Sequence, residues 1–204
     1  MPSLSRRAFL ALSTSLCLLA ASGLSPARAQ AGGSGQAFVK SFADRLVAIV
    51  NGPQDAAAKK AALGPVIDND VDVDAIARFC LGRFWANATP AQRQKYTALF
   101  HQVLLNNISG HLGEYQGVSF TMTGEHAQGS DTLVGTVINR PNEPPANVEW
   151  VVSTTSGSAK VIDVVAEGTS LRLTQRQDYA SYLSRHNADI DALLAGLQRQ
   201  LAGS

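Results

Sequence analysis

Cysteine is nearly absent: the 204 residues contain two, Cys17 and Cys80. If the folded part keeps only Cys80, no internal disulfide can form, and that thiol reads as a buried group on a helix face rather than a nucleophile. Charge is also sparse, at 16% of residues, with Lys+Arg 17 against Asp+Glu 16. So even a balance leaves no obvious basic patch, and no nucleic-acid partner is expected. The chain has no Gly-x-Ser-x-Gly elbow, phosphate-binding glycine loop, dinucleotide fingerprint or internal repeat. Nor is there a clean apolar run of about 20 residues, the length a membrane helix needs. What remains is a 45% hydrophobic composition, able to bury one core and unlike that of a disordered chain.

Residues 1–29 read as an address. Arg6-Arg7 precede an almost uncharged stretch from Ala8 to Leu24, broken by Ser13, Thr14, Ser15, Ser22 and Gly23, and Ala27-Arg28-Ala29 closes it before Gln30. Basic, apolar, then small-x-small is the order of a cleavable secretory signal. Ser5-Arg6-Arg7-Ala8-Phe9-Leu10 is similar to the twin-arginine export consensus. Leu16 before Cys17 does not suit a lipoprotein signal. The expectation is an exported, periplasmic, monomeric protein. Its organisation is a twin-arginine-like signal over 1–29, a Gly/Ser-rich flexible lead-in over 30–36 and one domain over 37–204. Removal of Arg6, Arg7 and Arg28 leaves 14 basic residues against the same 16 acidic ones, a net charge of about −2.

Periodicity places the elements. Phe38, Val39, Phe42, Leu46, Ile49 and Val50 recur at helical spacing up to Asn51-Gly52-Pro53. A second helical run from Asp55 to about Leu63 is expected to break at Gly64-Pro65, and a third covers Ile76 to Leu81 before Gly82. Thr89, Pro90 and Gln92 predict a capping box at the head of a long helix reaching about Leu112. After Gly117 the period falls to two, predicting strands near 117–125, 131–140, 147–155 and 159–166, followed by two helices. The fold class is therefore α+β: a four-stranded antiparallel curved sheet covered by several helices, its interior filled with side chains or enclosing a cavity.

Tests for chemistry give little. His101 and His111 lack the i, i+4 spacing of a zinc pair, and no metal is expected. Asp68, Asp70, Asp72 and Asp74 alternate like calcium ligands, but Val73 and Phe79 stand where that loop needs glycine and glutamate. Asp70 or Asp72 is expected instead to cap the third helix, with Asp74 in its first turn. Asp163 and Glu167 could serve as a carboxylate pair in an exported enzyme; a turn and helix cap is the simpler role. A binding-only adaptor, docking on a transporter through its exposed helix faces, is a further reading.

Several stretches, in order, carry a resemblance. They are Phe38-Val39; Val73-Asp74 with Ile76-Ala77-Arg78-Phe79; and Leu81-Gly82-Arg83 leading to Trp85 and Ala88-Thr89. Gln92-Arg93 with Phe100, Tyr115, Val148-Glu149-Trp150, Lys160-Val161-Ile162-Asp163-Val164 and Glu167-Gly168-Thr169-Ser170-Leu171 follow. Across residues 37 to 201 the chain resembles the MlaC family, the toluene-tolerance auxiliary family of periplasmic phospholipid-binding proteins. It departs from that family in its twin-arginine-like signal and in Val151, where a basic residue is common.

The resemblance implies a carrier without catalytic residues or cofactor. Its cargo would be phospholipid, or a polycyclic lipid if the hopanoid-associated branch applies. Its partners would be an outer-membrane lipoprotein complex and an inner-membrane ABC transporter with an MCE-domain subunit. Exposing two acyl chains of about 30 methylenes would cost roughly 25 kcal/mol, so such a carrier must hold them in an apolar cavity between sheet and helices. The lipid-contacting residues would then look like core. On and after the sheet these are Phe120, Val134, Val137, Trp150, Val152, Val164 and Leu171; from the helices they are Phe79, Trp85, Val103 and Leu104. The headgroup is expected near the mouth with few contacts, matching the absence of a strong charged cluster.

Overall fold

Helix α1, Gly32–Asn51, opens the part of the chain described by a computed structural model, residues 32–203. The proposed signal over 1–29 and Cys17 lie outside the described residues. α1 takes in part of the Gly/Ser-rich stretch, and Gln36 N–H donates to Glu125 Oε2 at 2.7 Å. At its other end Asn51 Nδ2 donates to Val118 O at 2.9 Å and Asn51 Oδ1 accepts from Gly117 N–H at 2.7 Å. Both ends of α1 are thus tied to the chain that enters and forms the sheet.

Helix α2, Ala56–Asp70, does not stop at Gly64-Pro65 as expected; it runs on with Pro65 inside it. Proline within a helix costs about 3 kcal/mol through its missing N–H and ring clash. Packing offsets this, because Leu63 and Ile67 on either side of Pro65 are almost wholly buried. Helix α3, Val73–Leu81, begins where expected: Asp72 caps it, accepting from Ala75 N–H at 3.0 Å, Asp74 sits in its first turn, and Gly82 ends it at φ 58°. Asp70 is instead ion-paired to Arg45 at 2.7 Å. A one-turn helix α4, Phe84–Asn87, joins α3 to the long α5, Pro90–Gly110. The Thr89–Gln92 capping box is formed, with Thr89 Oγ1 accepting from Gln92 N–H at 3.2 Å.

The sheet is antiparallel, with strands in sequence order: β1 Ser119–Gln128, β2 Asp131–Asn139, β3 Ala146–Ser153, β4 Lys160–Ala166, and a two-residue β5, Thr169–Ser170. β5 is an addition to the four expected strands. The register slips between Met122 and Gly124 on β1 and between Val151 and Val152 on β3. Helices α6, Leu171–Arg185, and α7, Ile190–Ala202, complete the fold.

The apolar interior has two parts. Helices pack on one another around Tyr96, Phe100 and Tyr179, whose rings meet with centroids 5.9–6.4 Å apart. Tyr96 is fully buried, and its hydroxyl donates to Ala77 O at 3.0 Å, so that burial leaves no polar atom unsatisfied. The sheet meets the helices elsewhere: α1 lies along β1 and β2, while α6, α3 and α2 approach β4. Between these supports β3 is bridged to the helices by side chains.

Candidate functional site

Cross-strand register decides which residues share a face. Phe120 pairs with Ile138, Met122 with Thr136, Thr136 with Val148, Val134 with Trp150, and Trp150 with Val164. Val134 and Val152 pack on Val39 of α1, which makes this the helix-facing side. Val134 and Val152 are buried there, yet Phe120, Met122, Ile138, Val148, Trp150 and Val164 are only half-buried. The sheet thus presents an incompletely covered apolar strip to its own helices, an arrangement that costs free energy in water and makes the strip a candidate site.

Trp150 lies within this strip. Its indole N–H donates to Thr136 Oγ1 at 3.0 Å, and its ring meets Phe42 edge-on at a centroid distance of 5.5 Å. Phe38 stacks in turn on Phe42 at 6.4 Å. Three aromatic rings therefore occupy the space between α1 and β3 where a hollow was expected. The apolar space is filled by side chains along its centre and left half-covered along its length.

The residues expected to touch lipid divide accordingly. Phe120, Val134, Trp150, Val152 and Val164 come together on the helix-facing side of the sheet. Val137 pairs with Thr121 and Asn147 on the opposite face, because it lies three positions after Val134 and side chains alternate along a strand. Val103 is buried in the main core and Leu104 packs against it, half-buried. Leu171, first residue of α6, is 52% exposed. Phe38, Phe42, Met122, Ile138 and Val148 belong with the strip. Their apolar periodicity was visible, but the cross-chain register that assembles them was not.

Phe79 and Trp85 lie elsewhere, on a solvent-open cleft of about 470 Å³ lined also by Ala75, Arg78, Gly82, Arg83 and Ala86. Arg172 and Arg176 of α6 lie over the Phe79 ring at 4.5 and 4.9 Å, and Arg78 and Arg93 lie over Trp85 at 5.9 and 5.4 Å. A strong charged cluster is therefore present, contrary to expectation. α3, α5 and α6 each contribute an arginine to it, and no local run of sequence reveals it. A second open cleft of about 380 Å³ is lined by Asp68, Asp72, Asp74, His101 and Lys160, with His101 Nε2 2.6 Å from Asp68 Oδ1. Neither cleft lies under the sheet strip. Among the described residues no group of three or more His, Cys, Asp or Glu is placed to hold a metal ion.

The carboxylates considered for acid–base work are occupied. Asp163, with its side chain 4% exposed, accepts from Ser170 Oγ at 2.6 Å and from the N–H groups of Val164 at 2.8 Å and Arg172 at 3.0 Å, with Arg172 Nε 3.4 Å away. It clamps β4, β5 and the start of α6 together. Glu167 accepts from Asn147 N–H across the sheet. Cys80 is buried, as expected, and burial, reinforced by the Asp163 charge, pushes its thiol up to about 12.

Comparison with known proteins converges on one family. The sequence model described as MlaC protein matches residues 40–199. The toluene tolerance protein Ttg2D of Pseudomonas putida is 26% identical over 142 residues, a region covering 69% of this chain and 64% of that protein. The chain thus spans less than two thirds of that relative's length. A phospholipid-binding protein from Ralstonia solanacearum, solved in complex with a phospholipid, superposes with a TM-score of 0.73 at 23% identity, covering 83% of this chain and 98% of that one. At that identity the superposition speaks for the fold.

Proposed function

Because the chain belongs to the MlaC family, we propose that it is a periplasmic lipid carrier that holds phospholipid by its acyl chains between α1 and the helix-facing side of the sheet. The observation that supports this reading is the half-covered strip of Phe120, Met122, Ile138, Val148, Trp150 and Val164. The acyl chains enter by parting Phe42 from Trp150, which meet edge to face rather than interlocking. Transfer of about 30 methylenes out of water is worth roughly 25 kcal/mol, far above the few kcal/mol needed to separate one aromatic pair. The residues that do the work are packing residues, and no bond is made or broken.

In this reading the segment 1–29 delivers the protein to the periplasm, where it exchanges cargo with an outer-membrane lipoprotein complex and an inner-membrane ABC transporter bearing an MCE-domain subunit. The carrier role is supported by the family match and, by analogy, by the phospholipid in the Ralstonia structure.

Native mass spectrometry of protein purified from cells tests the proposal. The expected spectrum shows the chain plus the mass of one or two phospholipids, released by organic solvent; a polycyclic lipid would appear as a different added mass. Protein that is recovered bare, and that takes up no lipid from vesicles, overturns it.

A further inference from the structure

The charge balance of the sequence conceals a local imbalance in the fold. Arg78 and Arg83 line the cleft formed by α3 and α4, and Arg176 of α6 lies against it so closely that a Cβ on Gly82 would come within 3.1 Å of Nε. Arg172 is matched by Asp163, and Arg93 spends its N–H groups on Trp85 O at 2.9 Å and Ala86 O at 3.1 Å. Arg78, Arg83 and Arg176 have no such partner: among the described residues none forms an ion pair, although Asp74 lies one turn before Arg78 and Asp178 two residues after Arg176.

Uncompensated guanidinium groups around one concavity repel one another and create a positive field that an anion relieves. Each lies over a ring: Arg78 over Trp85 at 5.9 Å, Arg176 over Phe79 at 4.9 Å and Arg83 over Phe84 at 4.9 Å. A guanidinium lying over a ring keeps its in-plane N–H groups free, the arrangement suited to bidentate contact with phosphate oxygens.

We propose that this cleft is a phosphate site, in which Arg78, Arg83 and Arg176 hold a phosphate-bearing anion against Phe79 and Trp85. The phosphate is either the headgroup of the carried lipid or a free phosphate. The first source rests on the carrier reading; the second does not.

Titration of the purified protein with inorganic phosphate and with glycerol 3-phosphate, followed through the arginine Nε–H resonances in nitrogen-15 spectra, tests the site. Saturable shifts are expected at Arg78, Arg83 and Arg176. Affinity is expected to fall roughly tenfold for each guanidinium removed, in Arg78→Glu/Arg83→Glu and in the milder Arg78→Gln/Arg83→Gln, with unchanged circular dichroism confirming the fold. A second arm compares uptake of dioleoyl phosphatidylglycerol with that of dioleoylglycerol, which has the same tails and no phosphate. A phosphate preference that disappears in the variants identifies the headgroup as the source. Binding of the small phosphates with no headgroup preference identifies free phosphate. Equal shifts with sodium chloride at matched ionic strength, or shifts with polyglutamate alone, overturn the site. Failure of the wild type to take up either lipid while phosphate still binds overturns only the carrier reading.

Discussion

Trp150 Nε1 donates to Thr136 Oγ1 at 3.0 Å, and Thr136 Oγ1 passes the chain on by donating to Val148 O at 3.1 Å. The one polar atom of the indole is thereby satisfied within the sheet, and its ring is left to make apolar contacts alone. Thr136→Val strands the indole N–H, and an expected loss of about 1–3 kcal/mol follows. Adding Trp150→Phe removes donor and acceptor together and should return most of that loss. Urea denaturation of the two single variants and the double variant reads the coupling; strict additivity would show that the pair does not act as a unit.

The faces of the sheet are tested by charge. Phe120→Glu puts a carboxylate on the half-covered strip, and the lipid recovered with the protein is expected to fall at least about tenfold, since burying a polar group without a partner costs roughly 1–3 kcal/mol. Val137→Glu places the same charge on the opposite face beside Asn147 and should leave lipid content unchanged. Quantitative lipid extraction from both variants checks the pair; equal losses would remove the distinction between the faces.

Asp163→Asn separates a structural clamp from a catalytic group. The variant gives up the charge that faces Arg172 and sets an amide N–H against one of the existing donors. Stability should drop by about 2–3 kcal/mol with the bound lipid unchanged in kind. Thermal unfolding and extraction together decide it, and an unaltered unfolding temperature would contradict the clamp.

Alkaline pH should destabilise the fold through its buried acids. Burial holds the Cys80 thiol protonated up to about 12 against an ordinary value of 9.0, so above pH 9 the unfolded chain binds fewer protons than the folded one. Stability is then complete below pH 9 and falls as pH climbs toward 12, by about 1.4 kcal/mol per unit for one such group. Tyr96 and Tyr179, also pushed up by burial, add to the fall at higher pH. Cys80→Ser should flatten the first part of the slope, measured as urea midpoints from pH 8 to 10.5; an unchanged slope assigns the fall to other groups.

Much of the architecture was legible because local signals and packing agree. The Thr89–Gln92 box, the cap at Asp72 and the change of period after Gly117 each need only neighbouring residues. The break expected at Pro65 failed for the opposite reason: the burial of Leu63 and Ile67 is decided by distant chain and outweighs the local rule. Leu133 and Val134 are both apolar and both buried, on opposite faces, so hydrophobicity alone could not say which way β2 turns or exclude Val137. The arginines around Phe79 and Trp85 come from helices nearly a hundred positions apart in sequence, and composition averaged them away.

The slipped register on β1 bears on how the molecule behaves in a crowd. A strand at the rim of a sheet offers a row of amide groups on which other chains can add. Here the row is broken between Met122 and Gly124. A straight incoming strand could match one half of the rim only by abandoning the other. That rim is thereby a poor template for an added strand.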